Sequence, residues 1–98
     1  MKISETQKKH LRGLGHKLKP LIIVGDGGLT DSVYNEFDST LSHHELIKVR
    51  VRMGDRQARD ELIAELCRRS GAGLITRIGN IALVFRRNDE KPRIKLPR

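Results

Sequence analysis

The sequence has few of the residues on which many small binding and catalytic domains depend. Its 98 residues include one cysteine, Cys67, no tryptophan and only three aromatic side chains. A single cysteine cannot form an internal disulfide, and zinc ligands at finger spacing are absent, so we expect a reducing, cytoplasmic location. The first residues lack the apolar segment of a signal peptide, and no apolar run approaches the ~20 residues of a membrane span. We therefore expect neither a secreted protein nor a membrane protein.

The scarcity of aromatic residues bears on the mode of nucleic-acid binding. Phe37 follows a helical apolar pattern and Phe85 ends an apolar run, so we expect both to be buried; the third aromatic residue is Tyr34. Domains that bind single-stranded RNA by base stacking display aromatic side chains on their strands. Any RNA binding by this chain is therefore expected to depend on phosphates, 2′-hydroxyl groups and shape, with steep salt dependence and modest sequence specificity.

Positive charge is abundant and is concentrated toward the two ends of the chain. The net charge is +8. The first 30 residues carry six basic and two acidic residues, the last 28 carry seven and two, and the middle is nearly neutral. Such a basic domain favours a polyanion partner. The segment 31–41 has three acids and no cation, so we expect it to face away from that partner. Residues 88–98 are expected to form a basic tail that is ordered only if it packs or binds.

Hydrophobic patterning predicts a single domain, residues 1–98, with the element order α-β-α-β-α-β-β. Ser4 and Gln7 have the spacing of a capping box, and Thr30 and Asp55 are suited to begin the second and third helices. The first helix is expected to end near His16. The buried stripes expected from the helical period are Leu11, Leu14 and Leu18 in the first helix, Val33, Phe37 and Leu41 in the second, and Ala58, Leu62, Ile63 and Leu66 in the third.

Four strands are predicted. The apolar run Leu21–Val24 indicates a strand that is buried on both faces. Apolar and basic residues alternate over 45–53, which predicts a strand with one buried face and one cationic face. Two more strands flank the turn Gly79-Asn80 as a hairpin. The connections predict an α/β fold, more specifically a two-layer α+β arrangement with a four-stranded mixed sheet and helices on at least one face. The cations of the alternating strand are Lys48, Arg50 and Arg52.

A G-x-x-G motif, Gly25–Gly28, lies between the first predicted strand and the second helix. Glycine lets a backbone approach a phosphate closely, and a helix N-terminus offers free N–H groups, so the motif is compatible with a clamp on a sugar-phosphate backbone. It is equally compatible with a tight turn that needs a positive φ. Asp26 in the middle of the motif argues against phosphate contact by that side chain. Both interpretations stay open at this point.

No catalytic constellation accompanies these features. His44-Glu45 begins like a zinc-binding H-E-x-x-H motif, but Lys48 stands in place of the second histidine. The chain has no Gly-Lys pair for a phosphate-binding loop and no G-x-S-x-G elbow, and its glycine motif lacks the third glycine of a dinucleotide fingerprint. We therefore predict no enzymatic activity, no metal and no cofactor.

Several blocks of residues resemble the CRM domain, and specifically its bacterial YhbY-type stand-alone form. The blocks are residues 7–18, which read Gln-Lys-Lys-His-Leu-Arg-Gly-Leu-Gly-His-Lys-Leu, then Lys19-Pro20, Ile23–Thr30, His43–Val49, Gly71-Ala72, Ile78-Gly79 and Leu83–Arg86. The resemblance implies the fold of the C-terminal domain of translation initiation factor three, with an additional helix at the N-terminus. It also implies RNA binding and association with precursors of the large ribosomal subunit.

The resemblance further implies roles for particular residues. The G-x-x-G loop of the family falls on Gly25–Gly28, with Asp26 where a lysine is common, and Lys48 and Arg86 match basic positions. We therefore expect a monomeric protein that binds ribosomal RNA of large-subunit precursors and acts in ribosome assembly. The candidate RNA-binding residues are Lys9, Arg12, Lys17, Lys19, Gly25, Asp26, Gly27, Gly28, Lys48, Arg50, Arg52 and Arg86.

Other functions remain as alternatives at this point. One is a protein-binding adaptor that docks a ribosomal protein or an assembly factor with its acidic second helix. Another is a small enzyme that binds a phosphate ligand or a nucleotide at the glycine loop. DNA binding is disfavoured, because we identify no recognition helix of the kind that reads bases in the major groove.

Overall fold

The computed structural model describes residues 2–98 and contains seven elements of secondary structure in the predicted order. The helices are α1 (Glu5–Gly15), α2 (Asp31–His44) and α3 (Arg56–Ser70), and the strands are β1 (Pro20–Val24), β2 (Leu46–Val51), β3 (Gly73–Ile78) and β4 (Ile81–Phe85). The strands form one sheet in the order β1-β2-β4-β3. β1 and β2 are parallel, and β4 is antiparallel to both of its neighbours, so the predicted mixed sheet is confirmed.

The helices begin where the sequence predicts, because short-range bonds satisfy their first N–H groups. The N–H of Gln7 donates to Ser4 Oγ at 3.1 Å, and the N–H of Ser4 donates to Gln7 Oε1 at 3.0 Å, which completes the capping box. Thr30 accepts from the first turn of α2 and Asp55 from the first turn of α3, each at 3.2 Å. Gly71 ends α3 with a φ of 76°, a left-handed conformation that glycine adopts without strain.

The two faces of the sheet are covered to different extents. On one face, which we call the helical face, α2 and α3 bury every second residue of β1, β2 and β4. Phe37 and Leu41 of α2 and Leu62, Ile63 and Leu66 of α3 fill this core, which confirms most of the two predicted helical stripes. We call the opposite side of the sheet the open face. Its residues include Ile23 of β1, Leu46, Lys48 and Arg50 of β2, Ile78 of β3, and Ile81, Leu83 and Phe85 of β4.

α1 and the C-terminal tail cover only part of the open face. Leu11 of α1 is fully buried in a second, smaller core with Leu83. Gly15 lets α1 lie close to β4, because a Cβ at this position would come within 2.7 Å of a methyl group of Leu83. α1 packs over β2 and β3, so it leaves β1 uncovered on this side. The other members of the smaller core are Leu46, Ile75 and Phe85, with Ile3, Ile94 and Leu96 packed against them.

The prediction that β1 is buried on both faces is wrong. Ile22 and Val24 are buried on the helical face, whereas Leu21 and Ile23 are 50% and 52% exposed. The four-residue apolar run is typical of a central strand between two helical layers. Here β1 lies at the edge of the sheet, and α1, the helix on the open face, packs over β2 and β3. The strand therefore presents large aliphatic side chains to solvent.

Two further details also differ from the predictions. Of the stripe expected in α1 only Leu11 is buried, while Leu14 and Leu18 are 43% and 37% exposed, because α1 contacts the sheet through Leu11 and Gly15. The second strand spans Leu46–Val51, so it begins one residue later and ends two residues earlier than predicted, and Arg52 lies just beyond it. Glu45 instead ends α2 with a φ of 66°, which directs the chain from the helix into β2.

The tail, residues 88–98, is held by the carboxylate of Glu45, which is completely buried. Glu45 Oε2 accepts the N–H of Asn88, and Oε1 accepts the N–H groups of Arg93 and Ile94, all at 2.7 Å. A carboxylate that receives three backbone N–H groups fixes the path of the segment that supplies them. The tail is therefore ordered because it packs against the rest of the chain. The sequence predicts order only if the tail packs or binds a partner, and packing is the condition that is met.

The ionisation of Glu45 reflects this environment. Burial by itself raises the pKa of its carboxyl group, but the three N–H groups and the nearby charge of Arg87 outweigh burial. The pKa of Glu45 therefore lies below its ordinary value, and the group is charged at neutral pH. The result is a carboxylate in the interior that joins the end of α2 to the tail.

Candidate nucleic-acid interface

Three cations follow one another along the second strand and its end. Lys48 and Arg50 project from β2 on the open face, because every second residue of β2 is buried on the helical face. The predicted alternation is thus confirmed for Lys48 and Arg50. Arg52 follows directly and is exposed, and its N–H donates to the carbonyl of Val24 at 2.8 Å. In the part of the chain that the structure describes, none of the three has a carboxylate within 4.0 Å.

Aliphatic side chains flank these cations across the sheet. Ile23 of β1 lies beside Arg50, Arg50 lies opposite Ile81 of β4, and Ile81 lies opposite Ile78 of β3. Ile78 is 76% exposed. The open face therefore carries a row in which aliphatic groups surround a cation. Sequence reasoning missed this row, because its alignment depends on how β1 and β2 pair with each other and with the hairpin of β3 and β4, which is distant from them in sequence.

The glycine loop follows β1 and lies at the same end of the sheet as Arg52. The N–H of Gly28 donates to the carbonyl of Gly25 at 3.0 Å, which closes a turn, and Gly28 has a φ of 76°. Gly25 and Gly27 are exposed, their φ values lie outside the left-handed range, and a Cβ on either would have open space around it. The need for a positive φ therefore explains the glycine at position 28 but not those at positions 25 and 27. The other two glycines, with the exposed Asp26 between them, leave the backbone accessible from outside.

The candidate cations near α1 lie in three different places. Arg12 lines a groove between the end of α1 and the open face, and Lys48 lines the same groove. Lys17 and Lys19 are exposed in the connection from α1 to β1. Lys9 lies on the outer side of α1, beside the end of the tail, and does not line the groove. The structure thus brings Arg12 together with Lys48 of β2 and places Lys9 apart from both.

Arg86 forms hydrogen bonds inside the protein. Its Nη1 donates to Asp38 Oδ1 at 2.7 Å and to the carbonyl of Ser70 at 3.0 Å. Its Nη2 donates to Ser42 Oγ at 2.6 Å and to the carbonyl of Asp38 at 3.1 Å. Arg86 follows β4 at the end of the sheet opposite to Arg52 and the glycine loop, since β2 and β4 are antiparallel. It joins the ends of α2 and α3, and the structure does not group it with the other candidates.

Replacement of Arg86 by alanine is expected to lower the free energy of unfolding by about 2 kcal/mol. The reason is that four charge-assisted or backbone hydrogen bonds disappear in a half-buried place. Urea denaturation measures this change, and Lys91→Ala, an exposed change in the tail, is the control. Under conditions where it is folded, Arg86→Ala is expected to keep the RNA affinity of the wild type. A stable variant with reduced affinity would show instead that Arg86 contacts the ligand.

The remaining reactive side chains show no grouping typical of catalysis. Among residues 2–98 there is no cluster of three or more histidine, cysteine or acidic residues that could hold a metal ion. Burial raises the pKa of the Cys67 thiol, which favours the neutral, weakly nucleophilic form.

None of the three helices within residues 2–98 combines the length and the apolar character that a membrane span requires.

Comparison with known proteins identifies the family. The model of the CRS1/YhbY (CRM) domain matches residues 3–86, which is most of the chain. The chain belongs to the CRM family. This CRM domain is 43% identical over 88 residues to the "Probable RNA-binding protein PA4753" of Pseudomonas aeruginosa, with 90% of this chain and 85% of the relative covered. It is 40% identical over 96 residues to an "RNA-binding protein" of Haemophilus influenzae, with 98% and 96% covered.

A solved structure confirms the fold of the CRM domain. The solution structure of the hypothetical protein SAV1595 from Staphylococcus aureus superimposes with a TM-score of 0.84 at 31% sequence identity. The superposition covers 98% of this chain and all of the other. The resemblance found in the sequence and the α+β architecture that it implied are therefore both confirmed.

Proposed function

We propose that this CRM domain binds RNA through the open face of its sheet and the glycine loop. The observation that carries the proposal is the position of the cations, which lack acidic partners and lie beside an accessible backbone turn. The names of its relatives support RNA as the ligand. The proposed interface consists of Arg12, Lys17, Lys19, Gly25–Gly28, Lys48, Arg50 and Arg52.

The spacing of the strand cations suits a sugar-phosphate backbone. Residues two apart on one side of a strand are separated by about 7 Å, which is comparable with the distance between successive phosphates of a single strand. A lysine and an arginine at this spacing bind adjacent phosphates, and the loop N–H groups offer further donors without adding charge. Asp26 faces solvent in the turn, so the contribution of the loop comes from its backbone.

The second helix, which carries three acidic side chains, lies on the far side of the sheet from the strand cations. α2 packs on the helical face, on the far side of the sheet from Lys48 and Arg50. One of its acids, Asp38, is bound by Arg86, and Glu36 is exposed farther along the helix. Asp31 is also exposed, but it begins the helix three residues after Gly28 and so lies near the glycine loop. A polyanion on the open face thus avoids the acidic surface. The same arrangement favours RNA binding at the open face over equal attraction of RNA to the whole protein surface.

The RNA that best fits the proposal is ribosomal. The resemblance to bacterial YhbY-type proteins supports ribosomal RNA of large-subunit precursors as the ligand, and ribosome assembly in the cytoplasm as the process. We assign this CRM domain the role of a single, monomeric RNA-binding module without catalysis. Its small sheet and open loop are better suited to recognise the shape and backbone of RNA than to catalyse a reaction.

Crosslinking in cells, followed by sequencing of the attached RNA, tests this assignment. The expected result is enrichment of precursor RNA of the large ribosomal subunit. The charge-reversed variant Lys48→Glu/Arg50→Glu, expressed at the same level, is expected to lose that enrichment. Recovery mainly of messenger RNA, or of protein partners that persist after ribonuclease treatment, would contradict the assignment.

A further inference from the structure

A groove on the open face carries an inference beyond phosphate binding. It has a volume of about 260 Å³ and lies between the end of α1 and strands β2, β3 and β4. Ile78, Ile81 and Leu83 form its aliphatic part, and Arg12 and Lys48 supply positive charge. The rest of the lining comes from Gly15, His16 and Thr76. The groove is small beside the roughly 300–1,000 Å³ of sites that take drug-sized ligands, so it suits a single ring system.

The exposed aliphatic surface at this groove is not explained by folding. Ile78 is 76% exposed and belongs to neither core of the protein. Ile23, across the sheet in the same row, is 52% exposed. Exposed apolar side chains that are grouped and bordered by polar residues mark binding surfaces more often than scattered ones do. In a domain with net charge +8, such a patch beside the cations Lys48 and Arg50, which lack an acidic partner among residues 2–98, points to a ligand with both apolar and anionic parts.

We infer that this groove holds one unpaired nucleobase of the bound RNA, whose flanking phosphates contact Lys48 and Arg50. The aliphatic side chains supply apolar contact for the flat base, and the charged margin pairs with the backbone on either side. The inference rests on the proposed function and names its substrate class as RNA with unpaired nucleotides. A base inside a duplex is excluded, because its faces are occupied by its stacked neighbours.

This mode of binding requires no aromatic side chain. Apolar side chains also form the walls of pockets that hold extruded bases. The scarcity of aromatics in the sequence therefore excludes aromatic stacking on the sheet but leaves contact between a base and aliphatic groups available. Since every base has an apolar face, the groove is expected to prefer unpaired over paired RNA without strong preference among the bases.

Replacement of Ile78 by serine tests the inference. We expect the variant to fold, because the side chain is largely exposed. The probes are a single-stranded oligoribonucleotide of about ten nucleotides and the same strand with all of its bases removed. Ile78→Ser is expected to weaken binding of the intact strand about tenfold and to leave binding of the abasic strand unchanged. Leu74→Ser, in the same strand but outside the groove, is the control and is expected to change neither affinity.

The outcomes separate this inference from the proposed function. If Ile78→Ser binds the intact strand as well as the wild type does, or weakens both strands equally, the base-binding groove is contradicted while phosphate binding stands. If the wild type binds neither strand, the proposed function itself fails. Loss of binding to a protein partner, with RNA binding intact, would assign the groove to protein recognition and also overturn the inference.

Discussion

Reversal of both strand charges, Lys48→Glu/Arg50→Glu, is expected to weaken RNA binding about 100-fold near physiological salt. The two side chains lie on the open face without acidic partners, so their charge is available to phosphates. Removal of two charge-assisted hydrogen bonds, together with the repulsion from two carboxylates, amounts to about 3 kcal/mol. Because both positions are partly exposed and face outward, we expect the variant to stay folded.

Titration of a labelled single-stranded RNA measures this loss of affinity. The matched control is Arg56→Glu/Arg68→Glu, which lowers the net charge equally but changes exposed arginines of α3 on the helical face. The control is expected to lose no more than a few-fold in affinity, because non-specific attraction falls with net charge. Equal decreases in the two variants would mean that the protein binds RNA through its overall charge and not through the open face.

Replacement of Glu45 by glutamine is expected to lower the free energy of unfolding by about 2–4 kcal/mol. The carboxylate accepts three backbone N–H groups of the tail, and an amide directs its own N–H₂ at one or more of these donors. Urea denaturation measures the change, and hydrogen exchange at Asn88, Arg93 and Ile94 reports the release of the tail. Glu90→Gln, an exposed change in the same tail, is the control. Unchanged stability in Glu45→Gln would contradict the role of this carboxylate in ordering the tail.

The same carboxylate gives stability a defined pH dependence. The pKa of Glu45 is lower in the folded protein than in the unfolded chain, where it is about 4.3. Its contribution is therefore complete above the unfolded pKa and is lost as the pH falls through the folded pKa, since the unfolded state then binds the proton more readily. The difference in stability between wild type and Glu45→Gln is expected to shrink below about pH 4. A difference that stays constant down to about pH 2.5, well below the unfolded pKa, would contradict this role of the carboxylate.

The order of elements could be predicted because its determinants are local. The capping bonds at Ser4, Thr30 and Asp55 join residues three apart, and the alternation of β2 is visible in six consecutive residues. The exposure of β1 could not be predicted in the same way. Whether an apolar run is covered on one face or two depends on where α1 packs, and that follows from Gly15 and Leu83, which are far apart in the chain.

The candidate site was predictable in part for the same reason. Arg50 follows from alternation alone, and Lys48 follows from alternation and from its match to a basic position of the family. Arg86 matched a basic position of the family, but its partners lie on α2 and α3, so only the fold shows that its charge is used internally. Glu45 had no signal in the sequence, because its three partners lie 43 to 49 residues away. The groove beside Ile78 likewise arises from strand register and the end of α1.

The salt dependence of RNA affinity distinguishes phosphate binding at the open face from attraction by overall charge. With single-stranded RNA, the slope of log affinity against log salt decreases by about 0.7 for each phosphate that the protein no longer neutralises. We predict a slope that is about 1.4 smaller in Lys48→Glu/Arg50→Glu than in the wild type, and an unchanged slope in Arg56→Glu/Arg68→Glu. Identical slopes for the wild type and the open-face variant, or a reduced slope confined to the helical-face variant, would contradict phosphate binding at the open face.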